Sequence, residues 1–473
     1  MKPDGACRGL IVAGPHSGVG KTTVALGLIA AFRRRGLKVQ PFKVGPDFID
    51  PGHHTQAAGV ISRNLDGWML TPEANQAIFR RHAASADLAL VEGVMGLFDG
   101  YDGASEAGST AQMAKWLGLP ALLVVDARAM ARSAAALVHG FATFDPDLAL
   151  AGVLFNRVGS AVHLRYLEQA LEFKKDAPSL GGIPRDHELA IPERHLGLTT
   201  AQEHPLTPPY LDRLADLMEQ NLDLDGLWER LPILNLAAPP VTAAVVGQAG
   251  TPAPHLLNAG PVRLGVAQDE AFCFYYPENL EWLEHFGAAI IPFSPLRDPD
   301  LPSGLHGLYL GGGYPEMFAG QLAQNRGLLK SLGDQARGGM PIYAECGGLM
   351  FLSQEIQDLD WKSHAMAGVL PFRVRMLPRL RALGYREITL TADGLLGPHG
   401  TRARGHEFHY SEIISEPDSL GRLYRLADRD GAASRLEGYT QDNVLASYVH
   451  LHFGSNPEVA RSLVEHCRRF KKC

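Results

Sequence analysis

The chain has 473 residues, 46% of them hydrophobic and 20% charged, an ordinary balance for about two to four globular domains. Its formal net charge of −7 argues against a nucleic-acid-binding protein that depends on bulk attraction to phosphate. The five cysteines are scattered and show no disulfide framework or CxxC metal pattern, so we expect a reducing cytoplasm. Neither a signal peptide nor an apolar run of about eighteen residues is evident, so no secretion and no membrane span is expected.

Short apolar runs alternate with longer amphipathic stretches in both halves of the chain. In the first half the predicted strands are Leu10–Ala13, Val39–Val44, Leu88–Glu92, Ala121–Asp126 and Ala151–Phe155, separated by helices such as Thr22–Arg35 and Glu73–His82. After residue 260 the predicted strands are Arg263–Ala267, Ala288–Phe293, Gly307–Leu310, Pro341–Ala344 and Val444–Val449. This alternation predicts an α/β fold with two doubly wound domains, each with a parallel sheet covered on both faces.

The segment between the two halves is rich in proline, alanine and glycine and has neither a helical nor a strand period. Such a composition is typical of a linker. We therefore predict one domain over residues 1–236, a linker over 237–261 and a second domain over 262–473.

A glycine-rich loop, GPHSGVGKTT, joins the first predicted strand to the first helix. In this context backbone N–H groups approach phosphates, Lys21 reaches the outer phosphates and the Thr22 hydroxyl binds Mg²⁺. Pro15 stands where the plain Walker A pattern has glycine, so five residues separate Gly14 from Gly20. The residues expected to hold the nucleotide are Gly14, Ser17, Gly18, Val19, Gly20, Lys21, Thr22 and Thr23.

Acidic side chains follow the second and third predicted strands. Asp47 and Asp50 lie just past Val39–Val44, and Glu92 ends the next strand. Because ligands gather at the carboxyl ends of parallel strands, these acids can converge on the loop and bind Mg²⁺ with Thr22. Each could instead be a helix cap, and Asp50 could lie in a turn with Pro51. Asn156, after the fifth strand, is a candidate to contact adenine or a simple turn residue.

The second half carries a cysteine in AECGG and a histidine in YVHLHF. Cys346 lies at a predicted strand-to-helix elbow, where a helix N-terminus is expected to favour the thiolate. His450 is the candidate base, and the pair indicates a nucleophilic thiol. Gly312 and Gly313 of LGGGYPE, with Gly347, are candidates for an oxyanion hole.

The first half resembles the dethiobiotin synthetase-like ATPases, and the second resembles the class I glutamine amidotransferase domain. Position 452 is histidine where the usual amidotransferases have glutamate, as in the cobyric acid synthase-like branch, so how His450 is oriented stays open. The combination is similar to the cobyrinate a,c-diamide synthase family over nearly the whole chain. The motifs that carry the resemblance are GPHSGVGKTT, KVGPDFIDPGHH, VEGVMGLFDG, DEAFCFYYPENL, LGGGYPE, AECGGLM, GYRE, GHEFHYSE and SYVHLHF.

The resemblance implies an enzyme that uses ATP and Mg²⁺ to phosphorylate two peripheral acetates of a tetrapyrrole polycarboxylate. Ammonia released from glutamine at Cys346 would then displace the phosphate. Asp50, His53, Tyr275 and Arg375 are the candidate substrate contacts. The implied partners are small molecules, with neither nucleic acid nor membrane, and a homodimer is possible from family habit.

Three other readings remain open at the level of sequence. The same chemistry could act on hydrogenobyrinate or nickel sirohydrochlorin, because no motif reads the central metal. A partitioning-type ATPase switch resembles the first half, but His16 stands where its additional lysine would be. A degenerate glutaminase serving as a binding module is disfavoured by the presence of both Cys346 and His450.

Overall fold

The computed structural model describes residues 6–172, 177–185, 193–194, 197–201, 203, 205–236, 260–417, 419–431 and 434–471. The chain divides into two compact units, Met1–Val245 and Val246–Cys473. The predicted linker lies outside the described residues except for positions 260–261, and the exact domain boundaries stay predictions. Among the helices of the described part, none combines the length and the apolar character needed to cross a bilayer.

The first unit is built from strands and helices that alternate along the chain. Its strands are β1 (Arg8–Ala13), β2 (Val39–Val44), β3 (Arg63–Leu65), β4 (Leu88–Glu92), β5 (Ala121–Asp126), β6 (Leu150–Val158), β7 (Ser179–Pro184), β8 (Glu193–Arg194) and β9 (Gly197–Leu198). Its helices are α1 (Lys21–Arg34), α2 (Ile49–Ala58), α3 (Pro72–Ala83), α4 (Thr110–Leu117), α5 (Ser133–Thr143), α6 (Ala161–Glu172), α7 (Pro208–Asn221) and α8 (Leu224–Arg230).

Seven of these strands form one parallel sheet in the order β3-β2-β4-β1-β5-β6-β7. Side chains of β1 alternate between its two faces: Leu10 and Val12 pack with α1 and α7, whereas Ile11 and Ala13 pack with α3, α4 and α5. A strand buried on both faces is the expected environment of a parallel sheet between helical layers. The predicted doubly wound arrangement is therefore confirmed for this unit.

The second unit contains more strands than were predicted. They are β10 (Val262–Ala267), β11 (Ala288–Phe293), β12 (Gly307–Leu310), β13 (Ile342–Glu345), β14 (Glu355–Gln357), β15 (Ser363–Ala365), β16 (Arg373–Met376), β17 (Ala382–Leu390), β18 (Arg402–His409), β19 (Ser411–Ile414), β20 (Gly421–Asp428), β21 (Ser434–Gln441), β22 (Val444–Ser447) and β23 (Val449–Leu451). The helices are α9 (Pro277–His285), α10 (Ala319–Gln324), α11 (Arg326–Arg337), α12 (Gly347–Leu352) and α13 (Glu458–Phe470).

The main sheet of this unit has ten strands in the order β11-β10-β12-β13-β22-β21-β20-β17-β18-β23. The first five are parallel, as predicted, and the rest pair in an antiparallel manner. A small second sheet has the order β15-β14-β16-β19. The antiparallel strands were not predicted, partly because charged residues interrupt their apolar alternation. Arg386 and the buried Glu407, which form an ion pair, are examples.

The predicted single strand Val444–Val449 is wrong, because it is two strands with different partners. β22 ends at Ser447 beside β13, and β23 begins at Val449 beside β18. The buried carboxylate of Glu437 accepts hydrogen bonds from the Ser447 hydroxyl at 2.9 Å and from the Tyr448 N–H at 3.1 Å. This side chain therefore satisfies the backbone where the chain leaves the sheet ladder.

Candidate active sites

The loop between β1 and α1 has the backbone conformation that a phosphate-binding loop requires. Gly18 and Gly20 have φ angles of 80° and 99°, in the left-handed region that glycine tolerates. Gly20 is the N-cap of α1, so the N–H groups of the first turn face the loop. The Lys21 ammonium donates to the carbonyls of His16 at 3.1 Å and Met95 at 2.5 Å.

The predicted nucleotide residues thus share one place in the fold. Apart from Asn156, all of them lie on this loop or in the first turn of α1: Gly14, Ser17, Gly18, Val19, Gly20, Lys21, Thr22 and Thr23. Their contacts with a nucleotide stay predictions.

Asn156, on β6, supports this loop from the side. Its amide nitrogen donates to the Val19 carbonyl at 2.7 Å, and its amide oxygen accepts from the Arg157 N–H at 2.8 Å. A Cβ added to Gly20 would come within 2.3 Å of the same amide nitrogen, so the fit depends on glycine. The amide holds the loop in place, and its predicted contact with adenine stays a prediction.

A buried lysine, missed at the level of sequence, joins the predicted carboxylates. Lys43, on β2, places its ammonium 2.5 Å from Asp50 Oδ2 and 2.8 Å from Glu92 Oε1. The Thr22 hydroxyl donates to the same Glu92 oxygen at 2.7 Å. The signal was present in KVGPDFID, where a lysine lies one residue before the end of a fully buried strand.

Charge in this cluster is stabilised by pairing and not by water. Burial would raise the pKa of Glu92, but the Lys43 ammonium and the His54 ring hold that pKa well below its ordinary value. Burial would lower the pKa of Lys43, but Asp50 and Glu92 keep it above its ordinary value. Burial and the charge of Asp47 raise the pKa of Asp50. The ammonium and the Glu92 carboxylate are therefore both charged at neutral pH.

Asp47 has the capping role that the sequence left open as an alternative. Its Oδ1 accepts from the N–H groups of Ile49 at 2.7 Å and Asp50 at 3.2 Å, so it caps the start of α2. Its Oδ2 lies 3.9 Å from the Lys43 ammonium at the edge of the cluster. Pro51 lies in the first turn of α2, where its missing N–H costs nothing, so Asp50 lies on a helix and not in a turn.

The two neighbouring histidines of α2 point to different partners. His54 is fully buried, and its Nε2 lies 2.6 Å from Glu92 Oε2. Its Nδ1 lies 3.4 Å from the Ser62 hydroxyl, so the ring is held from both sides. His53 places Nε2 2.9 Å from the Thr199 carbonyl. His54 thus orients a predicted metal ligand, whereas the predicted substrate contact of His53 stays a prediction.

The donor set around Thr22 fits Mg²⁺. Thr22 Oγ1 lies within 3.5 Å of Asp50 Oδ2 as well as near Glu92, and hard oxygen donors are those that Mg²⁺ prefers. Across the described residues, no group of three or more His, Cys, Asp or Glu side chains is arranged to hold a metal by itself. Water and phosphate oxygens would complete the shell, which is usual for Mg²⁺ bound with a nucleotide.

In the second unit, Cys346 lies at a sharp turn between β13 and α12. Its φ of 48° and ψ of −99° are strained for a residue other than glycine, as is typical of a nucleophile elbow, although here the side chain is buried. Its N–H donates to the Ser447 carbonyl at 2.7 Å, and its Sγ lies 3.8 Å from the Phe408 carbonyl. The elbow predicted from AECGG is thus present.

The expectation of a thiolate at this helix N-terminus is wrong for the protein without substrate. Burial and the nearby Glu316 carboxylate raise the pKa of Cys346, and the smaller favourable effect of the Gly347 N–H does not reverse this. Burial, with the charges of His406 and His409, lowers the pKa of His450 to about 3. Both groups are therefore neutral at pH 7, so the proton must move when substrate arrives.

The predicted oxyanion glycines lie against the Cys346 turn and His450. A Cβ on Gly347 would come within 3.1 Å of the Gly313 nitrogen, so these two backbones are adjacent. A Cβ on Gly312 would come within 2.2 Å of His450 Cε1, so only glycine fits beside the ring. The Gly312 carbonyl accepts from the Phe274 N–H at 3.0 Å, which anchors the loop.

Tyr275 supports the glycine loop from below. Its hydroxyl accepts from the Gly311 N–H at 2.7 Å and donates to the Ala267 carbonyl. Its ring packs edge-on against Tyr309 with centroids 5.1 Å apart. The side chain therefore positions the loop, and its predicted contact with substrate stays a prediction.

The residue before the nucleophile, Glu345, was missed from the sequence. Its buried carboxylate accepts from the Tyr309 hydroxyl at 2.8 Å, the Tyr343 hydroxyl at 2.7 Å and the Leu451 N–H at 2.9 Å. It anchors β23 at the residue next to His450. Burial raises the pKa of Glu345 to about 7. The glutamate in AECGG was the available signal.

His452 replaces the usual glutamate without taking its role. The ring is fully buried, and its Nδ1 accepts from the Gly454 N–H at 3.1 Å. It packs on Tyr276 with ring centroids 4.6 Å apart. Burial lowers the pKa of His452 to about 3, so the ring is neutral. A neutral ring that accepts a backbone bond terminates β23, and it supplies no carboxylate for His450.

Comparisons with known proteins match both units of the chain to known domain families. A model of the CobQ/CobB/MinD/ParA nucleotide binding domain matches residues 10–198, and one of the CobB/CobQ-like glutamine amidotransferase domain matches residues 263–458. The cobyrinate a,c-diamide synthase of Syntrophotalea carbinolica is 49% identical over 98% of this chain and 99% of the relative. Those of Salmonella typhimurium and Dehalococcoides mccartyi (strain ATCC BAA-2266 / KCTC 15142 / 195) are 43% and 41% identical, over 97% and 98% of this chain and 98% of each relative. The chain belongs to the cobyrinate a,c-diamide synthase family.

As a member of this family, the chain is a glutamine-dependent, amide-forming ligase with a nucleotide-binding domain. The partitioning-type switch accounts for the first unit alone and leaves the amidotransferase domain without a role. Arg375, a predicted substrate contact, forms an ion pair with Glu412 and lies 5.6 Å from the ring centre of Trp361. Arg375 lies on β16 of the small sheet. Its predicted contact with the family's substrate stays a prediction.

Proposed function

We propose that the chain converts the a and c acetate carboxylates of cobyrinate into amides, using ATP and ammonia from glutamine. The observation that carries the proposal is the pairing of a phosphate loop and its buried Lys43–Glu92 cluster with a Cys346 elbow in one chain. The relatives that match this chain from end to end carry the name of that reaction. The cytoplasmic location and the homodimer stay predictions.

The first unit would activate the carboxylate. A carboxylate is a poor electrophile until one of its oxygens becomes a phosphate leaving group, so ATP transfers its γ-phosphoryl group to the acetate. Lys21 and Lys43 neutralise the negative charge that gathers on the transferred group. Thr22, Asp47 and Glu92 would hold Mg²⁺, which supplies further charge neutralisation at the phosphates, and Asp50 offers one more oxygen.

The second unit would release ammonia. Cys346 Sγ attacks the amide carbon of glutamine while its proton passes to His450, and the Gly313 and Gly347 N–H groups stabilise the oxyanion. His450 returns the proton to the leaving nitrogen, ammonia departs, and a glutamyl thioester remains. Water then releases glutamate and restores the thiol. Ammonia attacks the acyl phosphate and displaces phosphate, and the cycle repeats at the second acetate.

The test follows product mass with ATP, Mg²⁺ and glutamine in the presence of cobyrinate, hydrogenobyrinate or nickel sirohydrochlorin. The expected result is two successive losses of about one mass unit from cobyrinate, as OH is replaced by NH₂. A Cys346→Ala variant is expected to repeat this result with ammonium chloride and to fail with glutamine, because the thiol serves only ammonia release.

Amidation of hydrogenobyrinate or nickel sirohydrochlorin in place of cobyrinate would overturn the substrate and keep the reaction class. ATP hydrolysis with no change in any of the three macrocycles would overturn both. Equal activity of Cys346→Ala with glutamine would remove Cys346 from the mechanism.

A further inference from the structure

The short strand that carries His450 lies at the end of the ten-stranded sheet. β23 has three residues, Val449–Leu451, and among the described strands it pairs with β18 alone. Position 452, where the usual amidotransferases have glutamate, holds a histidine that accepts from the Gly454 N–H. The place of the His450 ring therefore depends on the groups that bind β23 on the side away from β18.

Glu345 connects the nucleophile to one end of this strand. It directly precedes Cys346, and its carboxylate accepts from the N–H of Leu451, the residue after His450, at 2.9 Å. Two tyrosine hydroxyls donate to the same carboxylate at 2.8 and 2.7 Å, so the side chain has a fixed position. This side chain thus sets the distance between the Cys346 turn and the carboxyl end of β23.

Glu437 makes a second connection at the other end of β23. Its carboxylate accepts from the Ser447 hydroxyl at 2.9 Å and from the Tyr448 N–H at 3.1 Å. The Ser447 hydroxyl accepts from the Val449 N–H at 2.8 Å, and the Ser447 carbonyl accepts from the Cys346 N–H at 2.7 Å. Glu437 therefore holds the residue that contacts both the Cys346 turn and the first residue of β23.

The His450 ring is confined by its neighbours, so it moves with the strand. A Cβ on Gly312 would come within 2.2 Å of His450 Cε1, and the ring centroids of His450 and Phe274 are 6.5 Å apart. Because the ring has little room to turn, a shift of β23 would move it relative to Cys346. A misplacement of about 1 Å between reacting groups can cost about 100-fold in rate.

We propose that Glu345 and Glu437 are positioning residues that align the His450 ring with the Cys346 thiol, so that no glutamate is needed at position 452. Both carboxylates are buried, with 1% and 2% of each residue exposed, and both connect the backbone of Cys346 with that of β23. This rests on the proposed glutamine hydrolysis, in which His450 takes the thiol proton and returns it to the leaving nitrogen. Alignment through the backbone governs the rate of these proton transfers and leaves glutamine binding as it is.

The first test compares Glu437→Gln with Leu332→Ala in the full chain, with ATP, Mg²⁺ and cobyrinate present. The amide keeps one oxygen acceptor of the two, so either the Ser447 hydroxyl or the Tyr448 N–H loses its partner. We expect about a tenfold fall in kcat for glutamate release, with KM for glutamine and the ammonium-supported rate changed less than about twofold. Leu332, buried on α11, is the control, because its truncation lowers stability without removing a hydrogen bond.

Two further variants test the route of each connection. Ser447→Ala removes the hydroxyl that Glu437 binds, so its loss in kcat and that of Glu437→Gln should fail to add. Additive losses would show that Glu437 acts by another route, against this inference. Glu345→Gln also removes an acceptor and is expected to lower kcat with KM unchanged. An unchanged kcat in that variant would overturn the role of Glu345.

Alkylation of Cys346 tests whether the effect passes through His450, and it needs neither ATP nor macrocycle. Iodoacetamide reacts with the thiolate, so its rate depends on a base that takes the thiol proton. Glu437→Gln is expected to slow alkylation about tenfold in the unaltered chain and to have no effect in a His450→Ala chain, since an absent ring cannot be misaligned. The same slowing in both backgrounds would show that Glu437 acts on the Cys346 turn alone, which would overturn this inference.

The steady-state constants separate this inference from the proposed function. An unchanged kcat in both Glu437→Gln and Glu345→Gln would overturn this inference alone. A raised KM with unchanged kcat would assign the two carboxylates to glutamine binding and would overturn it as well. No glutamate release by the unaltered chain would overturn the proposed function, and this inference with it.

Discussion

The phosphate-loop site holds its reactive groups in charged form, whereas the Cys346 site holds them in neutral form. In the first unit Lys43, Asp50 and Glu92 are buried together, and their ion pairs hold the Lys43 and Glu92 charges in place. In the second unit burial keeps Cys346 and His450 neutral. Both sites lie where parallel strands end, so the strand ends alone do not decide the charge state.

The difference follows from what each reaction needs. Phosphoryl transfer gathers negative charge, and fixed charges of the opposite sign stabilise it without reorganisation. A thiol that stays neutral until glutamine fills the site does not react with other molecules beforehand. We therefore expect the phosphate-loop site to lose activity when one charged partner of an ion pair is removed. We expect the Cys346 site to lose activity when its burial or the backbone that positions it is changed.

The largest effect is expected for Glu92→Gln. The change leaves the buried Lys43 ammonium with one carboxylate fewer, which costs about 3–5 kcal/mol in comparable buried pairs. We expect loss of amidation with glutamine and with ammonium alike, and a lower denaturant midpoint for the first unit. Glu73→Gln, at an exposed acid of α3, is the control. Retained synthesis with ammonium would show that the cluster is structural only.

Glu345→Gln tests the neutral site through pH. The folded pKa of Glu345 is about 7 against an ordinary 4.5, so the unfolded chain loses its proton first and the folded protein loses stability as pH rises from 4.5 to 7. The variant does not titrate. Its unfolding free energy relative to the unaltered chain should therefore rise by about 3 kcal/mol across that window. Denaturant unfolding at several pH values measures this, with Glu284→Gln as an exposed control.

Two parallel curves for Glu345→Gln and the unaltered chain would mean that Glu345 is charged in the folded protein. The interpretation of the Cys346 site as one whose buried groups are neutral would then be wrong for Glu345.

A smaller effect is expected for Tyr275→Phe. The change removes the acceptor of the Gly311 N–H and the donor to the Ala267 carbonyl, so the glycine loop is held less firmly. An unsatisfied buried group costs about 1–3 kcal/mol, and we expect about tenfold slower glutamine-supported turnover. The ammonium-supported rate should change much less. An equal fall in both rates would point to a general loss of folding.

The smallest effect is expected for Asn156→Ala. The change removes the hydrogen bond to the Val19 carbonyl and the one from the Arg157 N–H. The first of these holds the loop, and its loss corresponds to about 1 kcal/mol and about fivefold weaker nucleotide binding. Binding of an ATP analogue, followed by calorimetry, measures it. Labelling of Cys346 by a diazoketone analogue of glutamine should not change. A loss of binding beyond a hundredfold would support the additional contact with adenine.

The sequence by itself determined the class of both folds and the position of both sites. Gly18 and Gly20 of GPHSGVGKTT have backbone angles that other residues rarely adopt, and the two glycines of AECGG leave no room for a Cβ beside the Cys346 turn, so both loops are visible without coordinates. Alternating strands and helices likewise predicted the parallel half of the second unit and five of the seven parallel strands of the first, all but β3 and β7.

Only the tertiary structure decided which side chains meet and in which charge state. Lys43 and Glu345 lie in the quoted motifs, yet their importance depends on partners far away in sequence, such as Glu92 and Leu451. The thiolate expected at Cys346 failed because burial, which a motif does not report, outweighs the helix N-terminus. The local sequence determines backbone shape, and long-range packing determines the desolvation and the pairing of charge.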